Sequence, residues 1–389
     1  MPRTLQITPG VIHSSPESLG FDPTRLKKLD HHFTGLVETG KIQGASYLVA
    51  RDGQIVANCA IGSLTYHDGS PGLQPDSIRK VYSITKAFTA VAIAKLAEEG
   101  KLFYQQPVNT LIPEFDTEKH RDITIWHLLT HTSGLMADPG CQTEPYQLPW
   151  YEWWIHEKKE HSKDGRLPDG EWIRTILSGR MWCKPGEQWN YCTAGYAILG
   201  EIIARASGKS YGQYIQEEIT GPLGMERTFL NTVPEEFHAE VCYVNRWQEN
   251  EFRSPHDMTG IPAAAGNGIF STLEDLWKFG QCLLDEGTSN AYTLLGRRMA
   301  RNLVSNQLNN VPSTCWGDKV KNYPMSLGLN LNHNDICTPG TFSHEGAGHS
   351  GLYVDPVERL VYVFFVPSLT GWVPEAIINP RAIVWSSLL

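Results

Sequence analysis

Little in this chain points toward a membrane, a nucleic acid or a metal scaffold. No apolar run among its 389 residues approaches the ~18 needed to cross a bilayer; the best candidate, Phe88 to Ala97, is interrupted by Lys95. The opening residues, MPRTLQITPGVIHSS, lack the apolar core of a secretion signal, so a cytoplasmic location is expected. Charged residues make up only 19%, and 33 basic against 42 acidic side chains leave a net charge of −9. A nucleic-acid binder would instead carry a basic stripe. The eight cysteines (Cys59, Cys141, Cys183, Cys192, Cys242, Cys282, Cys315 and Cys337) stand without CxxC or Cys/His spacing. That argues against a zinc framework and reads as free thiols in a reducing compartment. Internal repeats and low-complexity tracts are missing as well. What is present is an apolar content of 41%, enough to bury a sizeable core, in a length that allows two or three domains.

The order of patterns suggests how the chain is organised. Helical spacing runs from Leu19 to Thr39, with Asp22-Pro23 as its start signal. Gly44 to Gly62 reads as two strands turning at Arg51-Asp52-Gly53, and Ser350 to Pro367 as a second hairpin turning at Asp355-Pro356. Ala376 to Leu389 closes the chain with a helical pattern. Strands near both ends and helices between them suggest an α/β (α+β) fold. One sheet domain would be built from residues 1–108 and 291–389, with a mainly helical domain, 109–290, inserted. Within the insertion, Pro139 to Trp189 carries six tryptophans: Trp150, Trp153, Trp154, Trp172, Trp182 and Trp189. They form either a small aromatic subcore or an apolar wall over a substrate cleft, in which Trp153 and Trp154 would touch substrate.

The strongest chemical signal is Ser83-Ile84-Thr85-Lys86 at the head of an apolar helix that ends near Gly100. Residues three apart share a helical face, so the Lys86 ammonium can reach the Ser83 hydroxyl. A serine hydroxyl becomes an effective nucleophile only when a neighbouring base takes its proton. The positive end of the helix dipole also favours the charge that develops there. Alone, the spacing is weak, and a helix cap at Ser83 with a surface lysine is the better reading of it.

Three further segments follow in order: ITIWHLLTHTSGL (Ile123 to Leu135), KPGEQWNYCTAGYAILGEIIARASGKSY (Lys184 to Tyr211) and FSHEGAGHSGLYVDP (Phe342 to Pro356). With S-x-x-K they resemble the serine β-lactamase/penicillin-recognising superfamily, above all class C β-lactamases and family VIII carboxylesterases. The resemblance runs from about Leu19 to the C-terminus and implies an antiparallel sheet flanked by helices, with the active site in a cleft beside the inserted domain. It also implies Ser83 as nucleophile, Lys86 as its proton partner, and Tyr191 of Tyr191-Cys192-Thr193 as general base and then acid. A phenol beside a cation should be drawn toward phenolate. His344-Glu345-Gly346 falls where the family has K-T-G or H-x-G. It would place His344 and Gly346 on the substrate, Gly346 by letting it approach the strand backbone. The N–H groups of Ser83 and Ala347 would form the oxyanion hole.

Two departures bear on substrate. Thr193 replaces the family's asparagine, and His344 its lysine. A threonine cannot match both donor and acceptor of a carboxamide, and neutral histidine carries less charge than lysine. Simple esters become the favoured substrates. A β-lactamase, a D-amino-acid peptidase or amidase, an acyltransferase and a silent binding protein stay open. No metal or organic cofactor is called for, and the partner is a small ester or amide. Two other motifs are decoys. Gly208-Lys209-Ser210-Tyr211-Gly212 matches G-x-S-x-G but follows a helix, so Gly208 reads as a helix end and Ser210 as the next N-cap. The pairs His344…His349 and His156…His161 miss H-E-x-x-H by one residue. His127 and His131 read as scaffold for the cleft.

Overall fold

The computed structural model describes residues 5, 7–141, 158, 170–253, 261–289, 292–317, 319–331, 335–368 and 371–389. Seven antiparallel strands form the main sheet: β1 (Ile7–Pro9), β2 (Gly44–Arg51), β3 (Gln54–Gly62), β4 (Asn330–Leu331), β5 (Phe342–Gly346), β6 (Ser350–Asp355) and β7 (Leu360–Phe365). Their spatial order is β1-β3-β2-β7-β6-β5-β4, so strands from both ends of the chain meet where β2 pairs with β7. The β2–β3 hairpin turns at Asp52 and Gly53, which take φ of 49° and 73°, the left-handed pair that matches the twist of a two-residue hairpin.

The central strands are apolar without alternation because both faces are covered. Leu48, Ala50, Val361, Val363 and Leu352 enter one core, while Tyr47, Val49, Tyr362, Phe364 and Tyr353 enter the other. Helices α1 (Lys28–Glu38) and α6 (Ile378–Ser386) cover the second face. On the first face lie α2 (Thr85–Glu98) and, further along the chain, α5 (Leu273–Leu284). The Phe88 and Phe279 rings stack at 4.0 Å between those two helices. Although α5 falls within residues 109–290, it packs on the sheet, where the absent side chain of Gly280 admits Leu352, Val361 and Val354. Helix α2 is buried on nearly every side, which explains why its sequence shows no polar face. Helices α3 (Ile125–Leu129) and α4 (Thr193–Ser207) pack beyond it, in the same continuous core.

A second, four-stranded sheet orders Phe229–Leu230, Ile269–Ser271, Ile78–Lys80 and Val241–Cys242. Its strand Ile78–Lys80 leads directly into the Ser83 segment, tied by a bond from Val81 N–H to the Ile269 carbonyl. Gly208 takes φ 74° at the end of α4, and the Ser210 hydroxyl accepts from the Gln213 N–H. The G-x-S-x-G match is thus a helix end followed by a helix start.

One expectation fails. Cys141 and Cys315 are joined in a disulfide across 174 residues, with Cα atoms 4.3 Å apart, while the other six cysteines form no disulfide. The two positions lie in different loops of the sequence, and only the fold brings them together. The pairing removes free thiols as a ground for a reducing compartment. No described helix is long and apolar enough to cross a membrane.

Candidate active site

Ser83 sits in a 3-10 turn, Tyr82–Ile84, immediately before α2. Tyr82 ahead of it has φ 47°, a left-handed conformation that costs a non-glycine residue about 1–2 kcal/mol. Its phenol is fixed by a 2.7 Å bond from Gln248 Nε2. The first N–H groups of a helix lack intrahelical partners, so the backbone around Ser83 can offer donors to an anion.

Lys86, one turn on, is buried. Its Nζ donates to Ser83 Oγ at 3.1 Å, to Thr193 Oγ1 at 3.0 Å and to the Gly266 carbonyl at 2.9 Å. A side chain on Gly266 would strike the Thr193 methyl at 2.6 Å, so glycine is required for that approach. The Tyr191 ring lies 4.8 Å and the Tyr196 ring 5.4 Å from the Lys86 ammonium. The Tyr191 phenol feels the Ser83 side chain, which lowers its pKa. Ser83, Lys86 and Tyr191 thus converge from three parts of the sequence.

The Tyr191 segment is held by the HTSGL motif. Cys192 N–H donates to His131 Nδ1 at 3.1 Å, and Asn190 N–H to the His131 carbonyl at 2.9 Å. The imidazole lies 4.5 Å from the Tyr191 ring and is kept neutral by burial, with Lys86 adding to the effect. His127 caps α3 through a reciprocal pair with Thr124. Tyr191 does not tend toward phenolate as its cationic neighbour suggested. Burial, reinforced by the Asp138 carboxylate, pushes its pKa well up, and the nearby Ser83 side chain offsets this only in part. The resting phenol is protonated.

Three residues assigned to substrate are occupied differently. The Thr193 hydroxyl accepts from Lys86 and donates to Asp138 Oδ2 at 2.5 Å, while Thr193 N–H donates to Asp138 Oδ1 at 2.6 Å. Both capacities of the hydroxyl are therefore used within the protein. Gly346 makes room for its own chain: an added Cβ would lie 2.1 Å from the Val81 carbonyl and 2.4 Å from Ser350 Oγ. That glycine lets β5 close on the Ser83 turn. His344 is 2% exposed, its Nδ1 paired with the Glu345 carbonyl at 2.8 Å and its Nε2 buried without a protein partner. Burial, then the Lys86 charge, lowers its pKa to about 3, so it is a neutral imidazole beside the site. Ala347 is exposed on the turn after β5, the strand whose Gly346 touches Val81 next to the Ser83 turn.

Trp153 and Trp154 lie outside the described residues, as do Trp150 and the pair His156…His161. Of the other tryptophans in that stretch, Trp172 belongs to the main core and Trp189 to a small core with Cys141 and Cys315, stacked 4.0 Å from Tyr323. The exposed aromatic at the site is Trp316, 55% exposed, its ring 5.4 Å from Tyr191 and its N–H bonded to the Cys141 carbonyl. Trp316, Asp138 and the Gly266 carbonyl escaped the sequence reading. Asp138 alone left a trace, as an acidic residue three positions after HTSGL. Among the described residues, no cluster of three or more His, Cys, Asp or Glu side chains is placed to hold a metal ion.

Known proteins bear on this geometry. The chain is 28% identical over 351 residues to Protein flp of Staphylococcus aureus (strain MW2), covering 89% of this chain and 59% of flp. It therefore spans about three-fifths of the length of that relative. The octameric penicillin-binding protein homologue from Pyrococcus abyssi superposes with a TM-score of 0.70 at 25% identity, over 93% of this chain and 78% of that one. A family VIII carboxylesterase shares the fold with a TM-score of 0.72 at 19% identity, over 98% and 100% of the two chains. The family model for beta-lactamase matches residues 29–383, nearly the whole chain, and with it the protein belongs to the beta-lactamase family.

Proposed function

We propose that the protein is a serine hydrolase acting through a Ser83 acyl-enzyme, with carboxylesterase activity on small esters of short to medium acyl chain. The observation that carries this reading is the 3.1 Å contact of Lys86 Nζ with the Ser83 hydroxyl, with the Tyr191 ring 4.8 Å from the same ammonium. As Ser83 Oγ attacks the ester carbonyl, its proton passes to the Lys86 amine. The carbonyl oxygen takes up the electron pair and is stabilised by the Ser83 and Ala347 N–H groups. When the tetrahedral adduct collapses, the protonated Tyr191 gives its proton to the departing alkoxide, and Lys86 returns one to Tyr191. Water then repeats the sequence against the acyl group and frees Ser83.

Esters are favoured over lactams and amides by the groups beside this triad. Thr193 is committed to Lys86 and Asp138, and His344 is neutral, so neither offers a charge for a substrate carboxylate. Trp316 supplies exposed apolar surface next to Tyr191, which favours acyl chains at ~0.8 kcal/mol per buried methylene. The likeness in fold to a family VIII carboxylesterase agrees with this choice. The test is a panel of p-nitrophenyl esters of rising chain length beside a chromogenic cephalosporin and a D-alanyl amide. Ester kcat/KM should rise over the first few carbons and exceed the other two substrates throughout. A cephalosporin turned over as fast as the best ester at pH 7 would overturn the esterase reading in favour of a β-lactamase.

A further inference from the structure

Lys86 Nζ donates to Ser83, Thr193 and Gly266, and these acceptors are not equivalent. To take the Ser83 proton, the ammonium must first give one up. The Gly266 carbonyl accepts a hydrogen bond at 2.9 Å but has no proton of its own to pass on. The Thr193 hydroxyl accepts at 3.0 Å and itself donates to Asp138 Oδ2 at 2.5 Å. The carboxylate is fixed relative to this chain of groups, because Asp138 Oδ1 accepts the Thr193 N–H and the Asp138 N–H donates to the Tyr191 carbonyl at 2.8 Å. It also lies at the N-terminal end of α4, where the helix dipole favours an anion.

We propose that Asp138 is a positioning residue that accepts, through the Thr193 hydroxyl, the proton Lys86 must shed before it can activate Ser83. This rests on the reading of Ser83 as nucleophile. The transfer balances within the site. The Lys86 ammonium gives a proton to Thr193 Oγ1 as the hydroxyl proton moves to Asp138 Oδ2, leaving a neutral amine, an unchanged hydroxyl and a carboxylic acid. Rotation about Cε–Nζ then turns the lone pair toward Ser83. Burial raises the proton affinity of Asp138 above that of an ordinary carboxylate, and Lys86 and the Thr193 bonds offset this only in part.

The other titratable groups around Lys86 are Tyr191, Tyr196, Cys192, His131 and His344. Burial keeps the two phenols and the thiol protonated and both imidazoles neutral. Asp138, by contrast, is joined to Lys86 through the Thr193 hydroxyl, which can relay a proton to a carboxylate.

The second-order rate of labelling by a fluorophosphonate probe, followed on the full chain between pH 5 and 11, tests this without an identified substrate. The wild type should label at a rate that is flat through neutral pH. Asp138→Asn and Thr193→Val should label at least ~10-fold more slowly at pH 7, then gain rate as the pH rises and the Lys86 ammonium loses its proton directly, approaching the wild-type rate at the alkaline end. Thr193→Ser, which keeps the hydroxyl, should restore the wild-type shape of the profile. Should Asp138→Asn fail to fold by near-UV circular dichroism, the Thr193→Val and Thr193→Ser pair carries the same test. A loss in Asp138→Asn that is equal at every pH, or a limb moved to lower pH, overturns the relay. A wild type that labels nowhere in this range overturns the Ser83 reading itself, and the relay with it.

Discussion

Gly346→Ala is a small change with a large expected effect. The added Cβ would sit 2.1 Å from the Val81 carbonyl oxygen and 2.4 Å from Ser350 Oγ, and those two atoms are themselves joined by a 3.0 Å hydrogen bond. Neither belongs to the free end of a flexible side chain, so β5 must move away from the Ser83 turn. Restoring an ordinary contact takes a shift on the order of 1 Å, and a misplacement of that size lowers a rate by ~10²-fold. That is about 2.7 kcal/mol of transition-state stabilisation. Overpacking should also lower global stability by ~1–3 kcal/mol. Gly35→Ala is the control: it lies in α1 with nothing within 4 Å of the new Cβ, and should gain ~0.5–1 kcal/mol without altering catalysis. The assay pairs kcat/KM on p-nitrophenyl butyrate with urea unfolding of each variant. If Gly346→Ala is destabilised yet keeps the wild-type kcat/KM, the spacing between β5 and the Ser83 turn does not set the rate. The Ala347 N–H would then have no part in the chemistry.

Three further outcomes are expected. Tyr191→Phe deletes one hydroxyl from a packed ring, so unfolding should change little while kcat/KM on esters falls by ~10²–10⁴; retention of most activity would remove Tyr191 from the reaction. His344 and His349 have folded pKa values of about 3 and about 4 because burial disfavours the cation, and His131 is also well below its unfolded value of 6.5. Below pH 6.5 the unfolded chain therefore binds more protons, and stability should decline from there toward pH 3–4, by up to ~1.4 kcal/mol per unit for each group. The raised carboxyls of Asp138 and Glu345 oppose this at the acid end. A Tm that stays flat between pH 7 and 4.5 would contradict the buried neutral imidazoles. Thiol titration of the unfolded, unreduced protein should count six cysteines, and Cys315→Ser should lower stability by ~2–5 kcal/mol; a count of eight would refute the Cys141–Cys315 bond.

Local rules made much of the fold legible. Asp52-Gly53 dictated a hairpin, Asp22-Pro23 a helix start, and Gly208 a helix end, because each depends on backbone conformation within a few residues. The Ser83–Lys86 contact was readable for the same reason, since one helical turn separates the two. Tyr191 became legible through a resemblance rather than through spacing, because its approach to Ser83 depends on how α4 and α2 pack. What stayed hidden depends on long-range placement or on dielectric. Asp138 becomes a partner of Thr193 only once the HTSGL loop folds over α4. Cys141 and Cys315 meet across 174 residues. The phenolate tendency of Tyr191 was judged from its charged neighbour alone, whereas burial and Asp138 govern the structure. The closeness of Gly346 to the Val81 carbonyl was hidden too, because β5 and the Ser83 turn meet only in the fold.

The central claim is that Ser83 carries the acyl group, and intact mass after brief exposure to an activated ester tests it most directly. The wild-type protein should gain one acyl adduct, mapped by peptide digestion to the segment containing Ser83, and Ser83→Ala should gain none. An adduct on Ser210, or equal acylation of wild type and Ser83→Ala, would contradict the account.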